Sequence, residues 1–224
     1  MAGRLLVFPM EKELRLFLDY FRGRGIVAPE RSVKGHAVAE LECLDAICSV
    51  GGHGKVQCGV QTQFLLTHVV GVKAAFCVGC CGGLSESVSV LDIVAGSKTI
   101  EHDYKVRFIA GFAPPVFECD PDLLARFAGT RVDAFRIHAG TIASGDEDIV
   151  DSARARQLHE ETGAIAVAWE GAGCARACLF NKMPFLEVRA VTDNARRDAP
   201  SEFAKNLPRA MANAARAFES VFYR

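Results

Sequence analysis

Three carboxylates and an arginine lie where they can do chemistry. Glu13 follows the first apolar run of the chain. Glu170 directly follows residues 164–169, and Asp193 follows residues 185–191, which carry Glu187 and Arg189 within them. Acids of this kind donate protons, accept them, or accept hydrogen bonds from a ligand. Each also has a plainer reading. A carboxylate such as Glu13 is favourable near a helix N-terminus, and Glu170 and Asp193 suit helix caps or loop acids. Cys77 and Cys80 form a C-x-x-C, a spacing that raises zinc or redox chemistry. A structural zinc site takes about four ligands. The sequence has no second C-x-x-C and no H-x-x-x-H, so packing or substrate-contact thiols are the favoured reading and no metal is expected. Residues 79–83, Gly-Cys-Cys-Gly-Gly, read as a tight glycine-rich turn. They match neither G-x-x-x-x-G-K-[ST] nor G-x-G-x-x-G. His53 and His102 are read as hydrogen-bonded structural residues.

An alternation of strands and helices must position these groups. Residues 4–9 read as a buried strand. Residues 11–21 follow as an amphipathic helix, with Leu14, Leu16, Phe17, Tyr20 and Phe21 at helical spacing. Two strands fall within 37–50, Gly51-Gly52-His53-Gly54 breaks the chain, and a helix covers 55–70. A short apolar run at 74–78 leads into the glycine segment. Further strands are predicted at 91–100, 136–143, 164–168 and 184–191, with a small-residue helix at 171–179 and a closing helix at 203–222. Such alternation implies a largely parallel sheet covered on both faces. Ligands bind such sheets beyond the carboxyl ends of the strands. Glu13, the glycine segment, Glu170 and Asp193 each come just after a predicted strand, so one edge can gather them.

Half of the 224 residues are hydrophobic and 24% are charged, an ordinary globular composition. The length suits one α/β domain over residues 1–224. A formal net charge of -1 gives no general attraction to polyanions, so neither nucleic acid nor a membrane surface is expected as a partner. No stretch approaches the ~18 apolar residues of a membrane span. The opening MAGRLLVFPMEKEL is a poor secretion signal, because its apolar stretch covers only residues 5–10 before an acidic, helix-like run. Nine cysteines, an odd number without small-scaffold spacing, read as free thiols in a reducing compartment, and hence as a cytoplasmic protein.

Several short segments, in order, resemble the nucleoside phosphorylase / 5′-methylthioadenosine and S-adenosylhomocysteine nucleosidase superfamily. Phe8-Pro9-Met10-Glu11-Lys12-Glu13-Leu14 resembles its first strand-to-helix turn. Gly52-His53-Gly54-Lys55-Val56 resembles its G-x-G-K-x turn, and residues 78–84 with Asp92-Ile93-Val94 its G-[ST]-x-G-G-L…G-D-[IV]-V block. Ser144-Gly145-Asp146 matches a family S-G-D. Residues 167–172, Val-Ala-Trp-Glu-Gly-Ala, are similar to V-E-M-E-[AG]-[AT], and Arg189-Ala190-Val191-Thr192-Asp193 to R-A-[IV]-S-D. His102-Asp103 resembles a family H-D near the oligomer interface.

The resemblance implies a three-layer α/β/α sandwich with a central mixed sheet, a homo-oligomer with a dimer favoured, a small-molecule nucleoside as substrate, and no cofactor. The nucleosidase branch cleaves the N-glycosidic bond of a purine nucleoside or 5′-modified adenosine through an oxocarbenium-like transition state. Asp193 would then protonate the leaving purine at N7, Glu13 would orient water and take its proton, and Glu170 would accept both hydrogens of the ribose cis-diol. Arg189 would order the water or hold one of the acids. Cys80, Ile149 and Trp169 complete the implied substrate contacts. Departures from the pattern carry information. Cys80 stands where the family has Ser or Thr, and Cys77 where phosphorylases place a phosphate-binding Arg, which favours water over phosphate. Trp169 replaces a Met, Ala168 replaces the first acid of V-E-M-E, and Asp148 replaces an aromatic that would stack on adenine. Alternatives are a futalosine hydrolase, which residues 170–177 also resemble, a phosphate-dependent phosphorylase, and a non-catalytic nucleoside-binding or storage protein.

Overall fold

The computed structural model describes residues 3–223; Met1, Ala2 and Arg224, part of the expected 1–224 unit, lie outside the described residues. The first strand β1 (Arg4–Phe8) leads into α1 (Glu11–Arg22). A hairpin of β2 (Glu30–Val33) and β3 (His36–Leu41), then β4 (Ala46–Val50), precede α2 (Lys55–His68). After β5 (Ala74–Gly83) come β6 (Ile93–Glu101), β7 (Val116–Glu118), α3 (Pro121–Gly129), β8 (Ile137–Ser144) and α4 (Ser152–Thr162). The chain ends in β9 (Ala166–Ala168), α5 (Gly171–Phe180), β10 (Phe185–Asp193) and α6 (Ala199–Phe222).

The strands form one mixed sheet, as expected. β5 is its hub: β1 and β10 flank it in parallel, while β9 pairs with it antiparallel at Gly82 and Gly83. β10 also pairs antiparallel with β6, β6 runs parallel to β8, and β8 parallel to β9. Five strands therefore close into a ring, β5–β10–β6–β8–β9, from which β1, β4, β3 and β2 extend as an open sheet. Val94, Ile142, Ala166, Val191 and Cys81, one from each ring strand, form a separate buried apolar cluster. This ring closure is not visible in the alternating pattern, which carries no information about the pairing of β9 and β10.

Strand alternation sends successive β5 side chains to opposite faces. Phe76 meets Phe218 of α6 and Cys80 meets Met211 of α6, whereas Cys77 gathers with Cys58 of α2 and Cys174 of α5. Helices thus cover both faces: α6 with α1 on one, α2 with α5 on the other. The buried residues of α6, among them Leu207, Met211, Ala214 and Phe218, recur at three- and four-residue spacing, the stripe a core-facing helix needs. α2 and α5 approach backbone to backbone: a Cβ at Gly59 would lie 3.1 Å from the Gly173 carbonyl oxygen, and one at Gly173 would overlap the Lys55 carbonyl.

Residues 79–83 correct the expected turn. They continue β5, paired along β10 as far as Gly82. Glycine is required there by close approach. A Cβ at Gly79 would lie 2.8 Å from Arg189 Nη1 and 2.9 Å from Glu13 Oε1, and one at Gly82 would lie 3.0 Å from Asp193 Oδ1. The polar, turn-rich stretches around β2, β7, α3 and α4 hold elements that the apolar periodicity did not reveal.

Candidate active site

The carboxyl ends of β1, β5 and β10, the segment after β8, the β9–α5 junction and the start of α6 enclose a cavity of about 390 Å³. Glu13, Cys80, Ile149, Trp169, Glu170, Arg189 and Asp193, the residues singled out in the sequence, all line it. Elements as far apart in the chain as α1 and β10 supply them.

Glu13 is the third residue of α1. Its Oε2 accepts the Met10 N–H at 3.0 Å, which closes the helix start, and its Oε1 accepts the Cys80 N–H at 2.8 Å. Glu13 does stand at a helix start, as its plainer reading expected, but its carboxylate is buried at the head of the cavity and not solvated. Burial raises the Glu13 pKa, opposed by the Arg189 charge and the Cys80 donors.

Arg189 projects from β10 on the same side as Glu187 and is 1% exposed. Its Nε donates to Glu187 Oε1 at 2.8 Å, and its Nη2 to Glu170 Oε2 and to Cys77 Sγ, both at 3.3 Å. Nη1 donates to the Cys80 carbonyl at 3.4 Å. Glu170 occupies the N-cap position of α5 without turning its side chain onto that helix. It reaches instead to the chain break before α2, where Oε1 accepts the Gly54 N–H at 3.2 Å and lies 3.6 Å from His53 Nδ1. His53 packs on Trp169 with ring centroids 4.4 Å apart.

Asp193 ends β10 on the far side of the cavity. Its Oδ1 accepts the Ala195 N–H at 2.9 Å and its Oδ2 the Thr192 hydroxyl at 2.9 Å. Ala195 adopts a left-handed backbone, φ 51°, which returns its N–H to the carboxyl; such a conformation outside glycine is costly and marks a constrained turn. Burial raises the Asp193 pKa, against the lowering effect of those two donors. The cavity thus holds two separate carboxyl groups shifted toward the protonated form, and one guanidinium bonded to Glu170 within the cavity and to Glu187 behind it.

Thr192, Met10, His53 and Phe203 also line the cavity without having been singled out for it. Thr192 was legible as the hydroxyl residue of the R-A-[IV]-S-D pattern; Phe203 enters from the start of α6 with no local signal. Cys77 and Cys80 point to opposite faces of β5, so the C-x-x-C is not a chelating pair. Among the described residues, the thiols with metal-ligand spacing are Cys58, Cys77 and Cys174, whose sulfurs lie within 4.8 Å of one another. Thiol–thiol contacts and burial push all three well above the ordinary cysteine value, which favours the neutral, packing form over the metal-binding thiolate. His102 does not reach the cavity; it is buried under Gly145 with neither ring nitrogen hydrogen-bonded among the described residues.

Comparison with known proteins places the chain in a family. The model of the phosphorylase superfamily matches residues 4–222. The chain belongs to that superfamily. Among its relatives, the 5′-methylthioadenosine/S-adenosylhomocysteine nucleosidase of Thermotoga maritima is 29% identical over 215 residues, covering 92% of this chain and 88% of that protein. The Helicobacter pylori 5′-methylthioadenosine/S-adenosyl homocysteine nucleosidase, crystallised with an amino-pyrrolopyrimidine pyrrolidinol, superposes with a TM-score of 0.84 at 23% identity, over 98% of this chain and 97% of that one. The futalosine hydrolase of the same organism superposes with a TM-score of 0.82 at 23% identity, over 99% and 97%. Several of the superfamily's short motifs act here as braces. Ser144 Oγ donates to the Trp169 carbonyl at 2.7 Å and accepts the Ala172 N–H at 2.9 Å. Asp146 accepts the Lys55 N–H at 2.9 Å, at the start of α2. Asp92 accepts the Arg136 N–H at 3.0 Å and meets His138 Nε2 at 2.8 Å.

Proposed function

We propose that this superfamily member is a nucleosidase: it hydrolyses the N-glycosidic bond of a purine nucleoside or 5′-modified adenosine to free base and sugar. The observation that carries this reading is the convergence of Glu13, Glu170 and Asp193 on one cavity whose strongest cationic donor, Arg189, is already held by carboxylates. The C1′–N9 bond breaks as Asp193 gives its proton to N7 of the leaving base. Water adds to C1′ as Glu13 takes one of its protons. Glu170 accepts the hydrogens of the ribose 2′- and 3′-hydroxyls. An Asp that acts as acid near neutral pH needs a raised pKa, and burial supplies that direction.

Water is favoured over phosphate for a physical reason. A phosphorylase must cradle a dianion below the sugar, with strong donors such as Arg and backbone N–H groups. Here the Cys80 N–H is taken by Glu13, and like charges a few ångströms apart in a closed site repel by several kcal/mol. The test is base release from a nucleoside panel with and without phosphate, including methylthioadenosine and a nucleoside carrying a 6-oxo base. Release in phosphate-free buffer with free sugar as co-product is expected. Strict phosphate dependence with sugar 1-phosphate formed in step would overturn the hydrolase reading.

The chain is further proposed to work as a homodimer in the cytoplasm. Val56 and Val60 on α2, Leu179 and Phe180 at the end of α5, and Phe108 and Ile109 in the segment after β6 expose large apolar side chains, more than isolated exposed residues call for. Light scattering checks the dimer. Nine free thiols fit a reducing compartment, and no helix among the described residues is long and apolar enough to cross a membrane.

A further inference from the structure

Glu187 has no part in the steps above, yet it is among the most completely enclosed charged side chains in the protein, with 0% exposure. Its two oxygens have different partners. Oε1 accepts from Arg189 Nε at 2.8 Å, and Oε2 accepts from the Thr99 hydroxyl of β6 at 2.5 Å. The N-terminus of α5 rests on the same carboxylate: a Cβ at Gly171 would overlap it. The positive end of a ten-residue helix therefore faces Glu187 as well. A bare carboxylate in this position would be costly; three converging partners make it a fixed anion.

What this anion does is visible in the distances. Arg189 sits 2.8 Å from Glu187 but 3.3 Å from Glu170. A guanidinium left alone with one carboxylate pairs with it through two parallel bonds, and Glu170 would then spend both oxygens on Arg189. We propose that Glu187 is a positioning residue: by holding Arg189 at its Nε edge, it prevents a bidentate Arg189–Glu170 pair and leaves the Glu170 carboxylate available to the sugar hydroxyls, an inference that rests on the nucleosidase reading. Because Glu187 also offsets the Arg189 charge, it limits how far that charge stabilises ionised Glu13. The groups facing Glu13 are Arg189, Glu170 and Cys80; those around Glu187 are Arg189, Thr99 and the Cys81 and Cys119 thiols, both of which burial above all keeps in the neutral form.

Glu187→Gln keeps the shape and removes the charge. On whichever nucleoside the wild type cleaves, its KM is expected to rise roughly tenfold, the order of one lost hydrogen bond to a charged group, with a smaller change in kcat. The acidic limb of its kcat/KM profile is expected to move to lower pH, since a less compensated Arg189 draws the Glu13 pKa down. A variant that melts at lower temperature while KM and the acidic limb stay at wild-type values would reduce Glu187 to a structural residue and overturn the proposal. If Glu187→Gln does not fold, Thr99→Val, which removes only the outer tether, should shift KM and the limb in the same directions by less; no shift there overturns it too. Should the wild type cleave no member of the panel, the nucleosidase reading fails on its own. The Arg189 Nε–H proton resonance then decides the positioning role: a slowly exchanging signal in the wild type, lost or fast-exchanging in Glu187→Gln, is expected, and an unchanged signal overturns it.

Discussion

The two ends of the cavity are built differently. At the β1–β5–β10 end, assigned here to the sugar and the water, Glu13, Glu170 and Arg189 are each no more than 3% exposed and are tied to one another and to the backbone. At the other end, assigned to the base, residues 146–150 carry no regular structure. That segment is anchored at Asp146 on the Lys55 N–H, and at Glu147, which Arg154 grips with two bonds of 2.7 and 2.8 Å. Asp148, next along, is exposed. The reaction end is rigid because charges buried in a low dielectric must all be satisfied, and few arrangements satisfy them. The recognition end rests on a loop whose side chains can change without disturbing that network. One expects this design to preserve a reaction while its substrate drifts.

The largest expected effect is that of Asp193→Asn, across the cavity from Glu13, Glu170 and Arg189. Loss of the proton donor should lower kcat by about 10³-fold with folding intact, measured as base release under saturating substrate; wild-type turnover would remove Asp193 from the chemistry. The same variant tests the cost of the site. The folded carboxyl binds its proton more tightly than the unfolded one, so its contribution to stability is fully present below the ordinary value of 3.8 and is lost as pH rises through the raised folded value. Asp193→Asn should therefore melt as high as the wild type or higher near neutral pH, with the difference shrinking in acid.

Glu170→Ala should cost roughly 30-fold in kcat/KM, the order of about 2 kcal/mol for a charged hydrogen bond, and most of that loss should vanish when wild type and variant are compared on a 2′-deoxy nucleoside. An equal loss on both sugars would detach Glu170 from the cis-diol. Least of all, Asp148→Ala should change kcat/KM by about threefold or less on any one nucleoside, as an exposed group without a fixed partner does, while altering the ratio between 6-amino and 6-oxo bases. A large, base-independent loss would show that the loop belongs to the reaction end after all.

The same contrast explains what the sequence disclosed. Glu13, Glu170 and Asp193 were legible because each comes at the end of a predicted strand, and strand ends in a doubly covered sheet converge; Arg189 stood out as a charge embedded in the apolar run of β10. The glycine segment was misread as a turn because glycine signals both bends and close contacts. Only the three-dimensional position of Arg189 and Glu13 reveals that Gly79 is there to make room. Glu187 was visible as a charged residue inside an apolar run, but its partner Thr99 lies 88 positions away, beyond any local pattern. The hairpin strand β2 and the helix α4 were missed because they are amphipathic or polar and short, and packing rather than periodicity fixes them.

The cysteines have one more consequence. Eight of the nine are buried, and only Cys43 is partly open to solvent. In the native protein a small thiol-modifying dye should attach at Cys43 and halt there, so a single optical or spin label can be introduced without engineering. The remaining eight are distributed over β4, α2, β5, α5 and the segment before α3. Their slower capture, position by position in a mass spectrum, would time the breathing of each layer of the molecule against the others.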